Sequence, residues 1–160
     1  MEQKTKVIAE TGMQDMVITR DFDLPVDLLF KAYEEPELVE QWMSSDYTKT
    51  KFLKLESKKH GSWQLETSDT QGKVVFRANG VIHEFIPGRK ITRTFEMENT
   101  PYGVQLEIYQ FEKLTEKSSR LTMHVIYESV GQRDDVLKLP FAQGINMAHN
   151  RIQEVLGKSK

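Results

Sequence analysis

The sequence has no cysteine among its 160 residues, which removes disulfide staples, zinc–thiolate sites, iron–sulfur clusters and thiol catalysis and fits a reducing compartment. No apolar run approaches the roughly 18 to 20 residues needed to cross a bilayer. The opening MEQKTKVIAETGMQD lacks the apolar stretch of a secretory signal. A cytoplasmic protein without membrane insertion is the expectation. An excess of either charge is also missing, since 22 Lys plus Arg stand against 24 Asp plus Glu. The chain therefore has neither the basic surface that binds nucleic acid nor the charge of a disordered segment. GxGxxG, GxxxxGKS/T, HExxH, GxSxG and the EF-hand loop are all absent, so no cofactor and no catalytic residue is expected. His60, His83, His124 and His149 lie in different elements without His–x–His or His–x3–His spacing, which leaves no metal site in view.

What the sequence does contain is enough apolar material, 38% of residues, to build one core, and a chain of this length removes roughly two thirds of its unfolded surface from water. Residues 1–12 carry no sustained periodicity and read as a flexible tail, leaving residues 13–160 as a single domain. Gln14, Met16, Ile18, Arg20 and Phe22 alternate with more polar neighbours, as in a half-buried strand. Pro25 with Asp27 opens a short helix whose apolar stripe is Val26, Leu29, Phe30 and Tyr33, and Pro36 opens a second bearing Leu38, Val39 and Trp42. From Tyr47 to Glu128, β-rich runs are separated by turn chemistry at His60–Ser62, Asp69–Gly72, Pro87–Gly88, Asn99–Gly103 and Thr115–Ser119, which predicts six further strands in a meander. The helical period returns between Arg133 and Leu156, with an uninterrupted helix predicted from about Pro140 to Leu156 and Gly157 as its stop. The economical packing is an α+β, helix-grip arrangement: a curved antiparallel sheet of about seven strands, two short helices after strand 1, and a long C-terminal helix over the concave face.

Residues 18–42, ITRDFDLPVDLLFKAYEEPELVEQW, resemble the opening of the START-like family named after the activator of heat-shock-protein-90 ATPase, through Arg20, Phe22, Pro25, Phe30, Pro36 and Trp42. HGSW at 60–63, NGVIHEFIPGRKITRTF at 79–95, SSRLTMH at 118–124 and GINMAHNRIQEVL at 144–156 are similar to later blocks in the same order, over about 145 residues. Trp42–Met43 stands where the family often has paired Trp, and Gly61–Ser62 where it has Gly-Gly; both departures bear on a specific ligand rather than on the fold. The resemblance implies a hydrophobic pocket between sheet and terminal helix. Its relatives are linked to binding apolar small molecules or to activating a chaperone.

Candidate ligand-binding residues follow from parity and helical face. Phe76, Phe95, Met123 and Tyr127 share strand parity with apolar neighbours. Phe141 and Ile145 lie on the terminal-helix stripe with Ala148, Ile152 and Val155, and His149 borders it. A two-residue loop at Pro87–Gly88 would pair Ile86 with Arg89, Glu84 with Ile91 and Ile82 with Arg93. That register sends Glu84 and Arg93 inward together, as a buried ion pair or as polar anchors for a ligand. Lys49, Lys51, Lys54, Lys58 and Lys59 read as solvated strand faces. The leading expectation is an apolar small-molecule ligand held without covalent chemistry. A chaperone partner docked on the outer face, and a START-like enzyme using a buried Glu84 or His149, are the alternatives. Oligomeric state leaves no residue-level mark.

Overall fold

The computed structural model describes residues 3–158. In chain order the elements are β1 (Lys6–Ile8), β2 (Asp15–Phe22), α1 (Val26–Glu34), α2 (Pro36–Met43), β3 (Thr48–Leu55), β4 (Ser62–Asp69), β5 (Val74–Ile86), β6 (Lys90–Met97), β7 (Val104–Thr115), β8 (Ser118–Ile126), α3 (Val130–Leu137) and α4 (Phe141–Gly157). One antiparallel sheet runs in the order β1-β2-β8-β7-β6-β5-β4-β3. The predicted meander is thus present as β3 to β8. β2 buries Met16, Ile18, Arg20 and Phe22, the parity set by its alternation. Glu35 sits at φ −92, ψ 119, extended as a residue before proline must be. That single residue separates α1 from α2, whose Pro36 occupies the position where a missing N–H costs nothing.

Three features differ from the sequence expectation. The sheet has eight strands because β1 lies inside the stretch expected to be a tail, pairing Lys6 with Thr19 and Ile8 with Val17. Three residues are too few to show a period. The stretch before Pro140 forms α3, capped by the Ser129 hydroxyl, which accepts from the Gln132 N–H at 3.1 Å. The β5–β6 turn is one residue longer than expected: Arg89 N–H donates to the Ile86 carbonyl at 3.0 Å, and Gly88 takes φ 76 at the third position of a type II turn. Ile86 therefore pairs with Lys90, and a bulge between Ile82 and Glu84 brings the register back to Ile82 opposite Arg93. The bulge reverses parity along the end of β5. Phe85 turns inward against Phe30, with ring centroids 5.5 Å apart, while Glu84 and Ile86 turn out.

The core has a filled part and an open part. Where α4 crosses β2, it buries His149, Ile152 and Leu156 completely, among Phe22, Leu24 and Leu29. Phe30 stacks edge-on against Phe111, and Tyr33 against Trp42, Tyr109 and Phe111, closing one end of the concave face with aromatic contacts from α1 and α2. Trp42 Nε1 donates to the Ala32 carbonyl at 2.7 Å and locks the two short helices together. The backbone of α4 packs most extensively against α1, α2 and α3 rather than against any strand.

On the sheet floor Gly80 lies opposite Trp63 in the β4–β5 pair. A methyl group there would overlap the Thr94 carbonyl and the Trp63 indole nitrogen. Gly80→Ala is expected to destabilise by roughly 1–3 kcal/mol or more, read as a lower urea midpoint; an unchanged midpoint would show that Trp63 is not packed this tightly.

Candidate functional site

Between the concave sheet face and α4 lies a cavity of about 550 Å³. Its floor is built by strand alternation, which aims Phe76 of β5, Phe95 and Met97 of β6, Tyr109 of β7, and Met123 and Val125 of β8 to the same side. Its roof is the α4 stripe of Phe141, Gly144, Ile145, Ala148 and Arg151, spaced to share one helical face. Trp42 and Met43 of α2 close one side, and Leu139 and Pro140 of the α3–α4 link stand at another. A second recess beside Tyr33, Ile82 and Phe85 holds only about 20 Å³, room for a water at most. The larger space is the one a ligand would need.

One polar cluster interrupts the apolar floor. Arg93 and Glu107 stand directly opposite in the β6–β7 pair, and the Arg93 Nε–H donates to Glu107 Oε1 at 2.9 Å. Arg93 Nη2 donates to the Tyr109 hydroxyl, and that hydroxyl donates to Glu107 Oε1, both at 2.9 Å. Gln105 Nε2 donates to Glu107 Oε2 at 2.8 Å. The guanidinium lies 4.5 Å from the Trp63 ring centre and 5.0 Å from that of Tyr109. Burial works against the charge on Arg93, but Tyr109 and Glu107 outweigh it and hold the guanidinium protonated. Burial pushes the Tyr109 hydroxyl well above its ordinary range, with Arg93 pulling the other way, and burial likewise raises Tyr33. Both tyrosines are hydrogen-bond donors at any ordinary pH.

Of the residues expected in a site, Phe76, Arg93, Phe95, Met123, Phe141 and Ile145 do line this cavity. Glu84, Tyr127 and His149 do not. Glu84 was expected as the partner of Arg93; the bulge turns it outward, where Lys90 Nζ lies 2.8 Å away and Thr92 donates to it at 3.2 Å. Those contacts, Lys90 first, hold its carboxyl below the usual carboxylate range. Tyr127 has the expected inward parity, but it lies just past β8 and is 2% exposed in the packed core. His149 was expected to offer a polar tip to the cavity. It faces the filled side instead, edge-on to Phe22 at 5.6 Å, with Nδ1 2.7 Å from the Thr5 hydroxyl. Burial, with Arg20 adding to it, pushes its pKa down to about 3. An acid–base role for Glu84 or His149 therefore has neither side chain in the cavity.

Glu107, Gln105 and Arg151 belong to the cavity wall and were not singled out from sequence. The signal was present: Gln105, Glu107, Tyr109 and Phe111 share one strand parity, so an inward Phe111 carries two polar residues inward with it. Arg151 follows Gly144 and Ala148 at helical spacing on the roof.

The sequence model of the family described as activator of Hsp90 ATPase homolog 1-like protein matches residues 23–157. Solved structures share the fold. A crystal structure of a Rhodobacter sphaeroides protein superposes with a TM-score of 0.87 at 17% identity, covering 97% of this chain and 99% of that one. A Mycobacterium smegmatis protein gives 0.84 at 19% identity, covering 96% of each chain. An Arthrobacter aurescens protein solved by NMR gives 0.83 at 19% identity, covering 96% and 91%. Among curated proteins, none is similar enough to this sequence to match.

Two outcomes are expected. Arg93→Ala leaves Glu107 charged without its cation and is expected to cost about 3 kcal/mol, whereas Glu84→Gln is expected to leave the urea midpoint where it is. Equal effects would restore Glu84 as the partner. For His149 the unfolded chain takes up a proton below about pH 6.5, but the folded chain does so only near 3, so stability falls as pH falls through that window. Each unit costs about 1.4 kcal/mol. Between pH 6.5 and 5 the wild type is expected to lose roughly 2 kcal/mol more than His149→Gln; parallel losses would show that His149 titrates normally.

Proposed function

The chain belongs to the activator of Hsp90 ATPase homolog 1-like family, and on that footing we propose that it is a binding module for an apolar small molecule seated between the sheet and α4. The observation that carries this reading is the cavity of about 550 Å³ with its largely apolar lining and one preorganised polar cluster. Sites for small ligands typically measure about 300–1,000 Å³ and combine apolar walls with a few fixed polar groups. Aromatic bodies suit the walls, because Phe76, Phe95 and Phe141 present ring faces and edges while Met97 and Met123 adapt to irregular shapes.

The Arg93–Glu107–Tyr109 cluster fixes what this floor can select. Arg93 and Glu107 cancel each other's charge, so the floor favours a neutral carbonyl or hydroxyl over an ion. A two-ring ligand burying roughly 300 Å² at about 25 cal/mol per Å² gains several kcal/mol before association costs. Those costs come off the gain, so about micromolar is the tightest affinity that this burial allows.

The test uses N-phenyl-1-naphthylamine, a neutral two-ring fluorophore whose emission rises in apolar surroundings. Saturable binding at one site per chain is expected. Ala148→Trp places an indole in the roof and is expected to weaken the probe at least tenfold while cooperative unfolding is retained. Probe binding that ignores Ala148→Trp, or no saturable binding at all, would contradict the proposal.

A further inference from the structure

Arg151 differs from every other charged side chain on the cavity wall. Arg93 and Glu107 form a closed pair on the floor. Arg151 projects from the roof, and its Nε–H donates at 2.6 Å to the carbonyl of Trp42, in the last turn of α2. That bond fixes where the guanidinium sits, beside the carbonyl end of a helix with no basic residue of its own in that turn. It uses one donor. Neither Nη nitrogen donates to any described residue, and among the described residues no carboxylate lies within ion-pair distance of it. The side chain is half-buried and shares the cavity roof with Phe141, Ile145 and Ala148. With Arg93 and Glu107 cancelling, the charged groups on the cavity wall leave one net positive charge, and it lies on α4.

A planar guanidinium anchored through Nε still presents both Nη nitrogens, the edge that binds a carboxylate with two parallel hydrogen bonds. The apolar walls next to it suit a hydrocarbon body. We propose that Arg151 receives the carboxylate of an amphipathic monocarboxylic acid whose apolar part fills the cavity. This inference rests on the cavity being a ligand site. It adds the chemical class of the ligand: an acid with a long alkyl or aryl body, held by its head at the roof while the floor cluster contacts any neutral oxygen further along.

The experiment displaces N-phenyl-1-naphthylamine with dodecanoate and with dodecanol at pH 8, where the acid is ionised, from the wild type, Arg151→Gln and Arg151→Lys. The readout is the ratio of the two displacement constants. Arg151→Gln is expected to shift that ratio towards the alcohol by about ten- to a hundredfold, the worth of a hydrogen bond to a charged group. Arg151→Lys is expected to recover part of the shift. In the wild type, the Arg151 guanidinium nitrogen resonances should move on adding dodecanoate and stay put on adding dodecanol, a reading that needs no folded variant. A ratio that does not depend on residue 151, or equal weakening of acid, alcohol and probe in Arg151→Gln, overturns this inference alone. A wild type that does not bind the neutral probe overturns the cavity reading and this inference with it.

Discussion

A single helix laid into a curved sheet of eight strands meets more concave surface than its side chains can cover, and most of this structure follows from where that shortfall falls. α4 packs closely along only part of its length, where His149, Ile152 and Leu156 are buried and His149 meets Phe22 edge-on. Phe141, Ile145 and Ala148, further along the helix, are only half-buried because the cavity lies beneath them. A packed interior would have filled that space, since unfilled volume forfeits dispersion contacts and costs stability. The sheet tolerates the gap because all eight strands are paired in one continuous order and its floor has its own packing, with Trp63 against Gly80 and Phe95.

The same geometry explains the charges. A guanidinium on the concave face of β6 needs a partner close by, and the strand register supplies Glu107 directly across the ladder, with Tyr109 two residues along on the same face. The three groups bond to one another and become a fixed polar patch of no net charge. Arg151 is placed by a different rule. Its one anchor among the described residues is a backbone carbonyl at a helix end, which orients the side chain without neutralising it. The cavity therefore has a neutral polar floor and a cationic roof, an asymmetry that arises from which element carries each arginine.

Most of the architecture was legible because it depends on local periods. The alternation of β2, the parity of β6 with Ile91, Arg93 and Phe95 inward, and the α4 stripe of Phe141, Ile145 and Ala148 are each visible within one element. What escaped depends on registers between elements. The bulge at Ile82 and Glu84 leaves no compositional mark, yet it turns Glu84 away from Arg93 and Phe85 towards Phe30. Glu107 was missed because pairing β6 with β7 requires the geometry of the intervening loop, where Asn99 and Gly103 adopt φ 61 and 72. His149 was misplaced because its partner, Thr5, lies before β1 in a stretch too short to announce a strand. That Arg93 needed a buried partner was a matter of energetics and could be read from sequence; which residue met the need was a matter of register and could not.

The central claim is that the concave face is left incompletely filled, with accessible apolar space between β5–β8 and α4. Crystals of the protein pressurised with xenon test it without reference to any ligand, because a polarisable apolar atom enters such space and ignores packed core. The account predicts xenon density against Phe95, Met123 and Ile145, with the fold undisturbed. An α4 seated directly on the strands, with those side chains in mutual contact and no xenon among them, would contradict it.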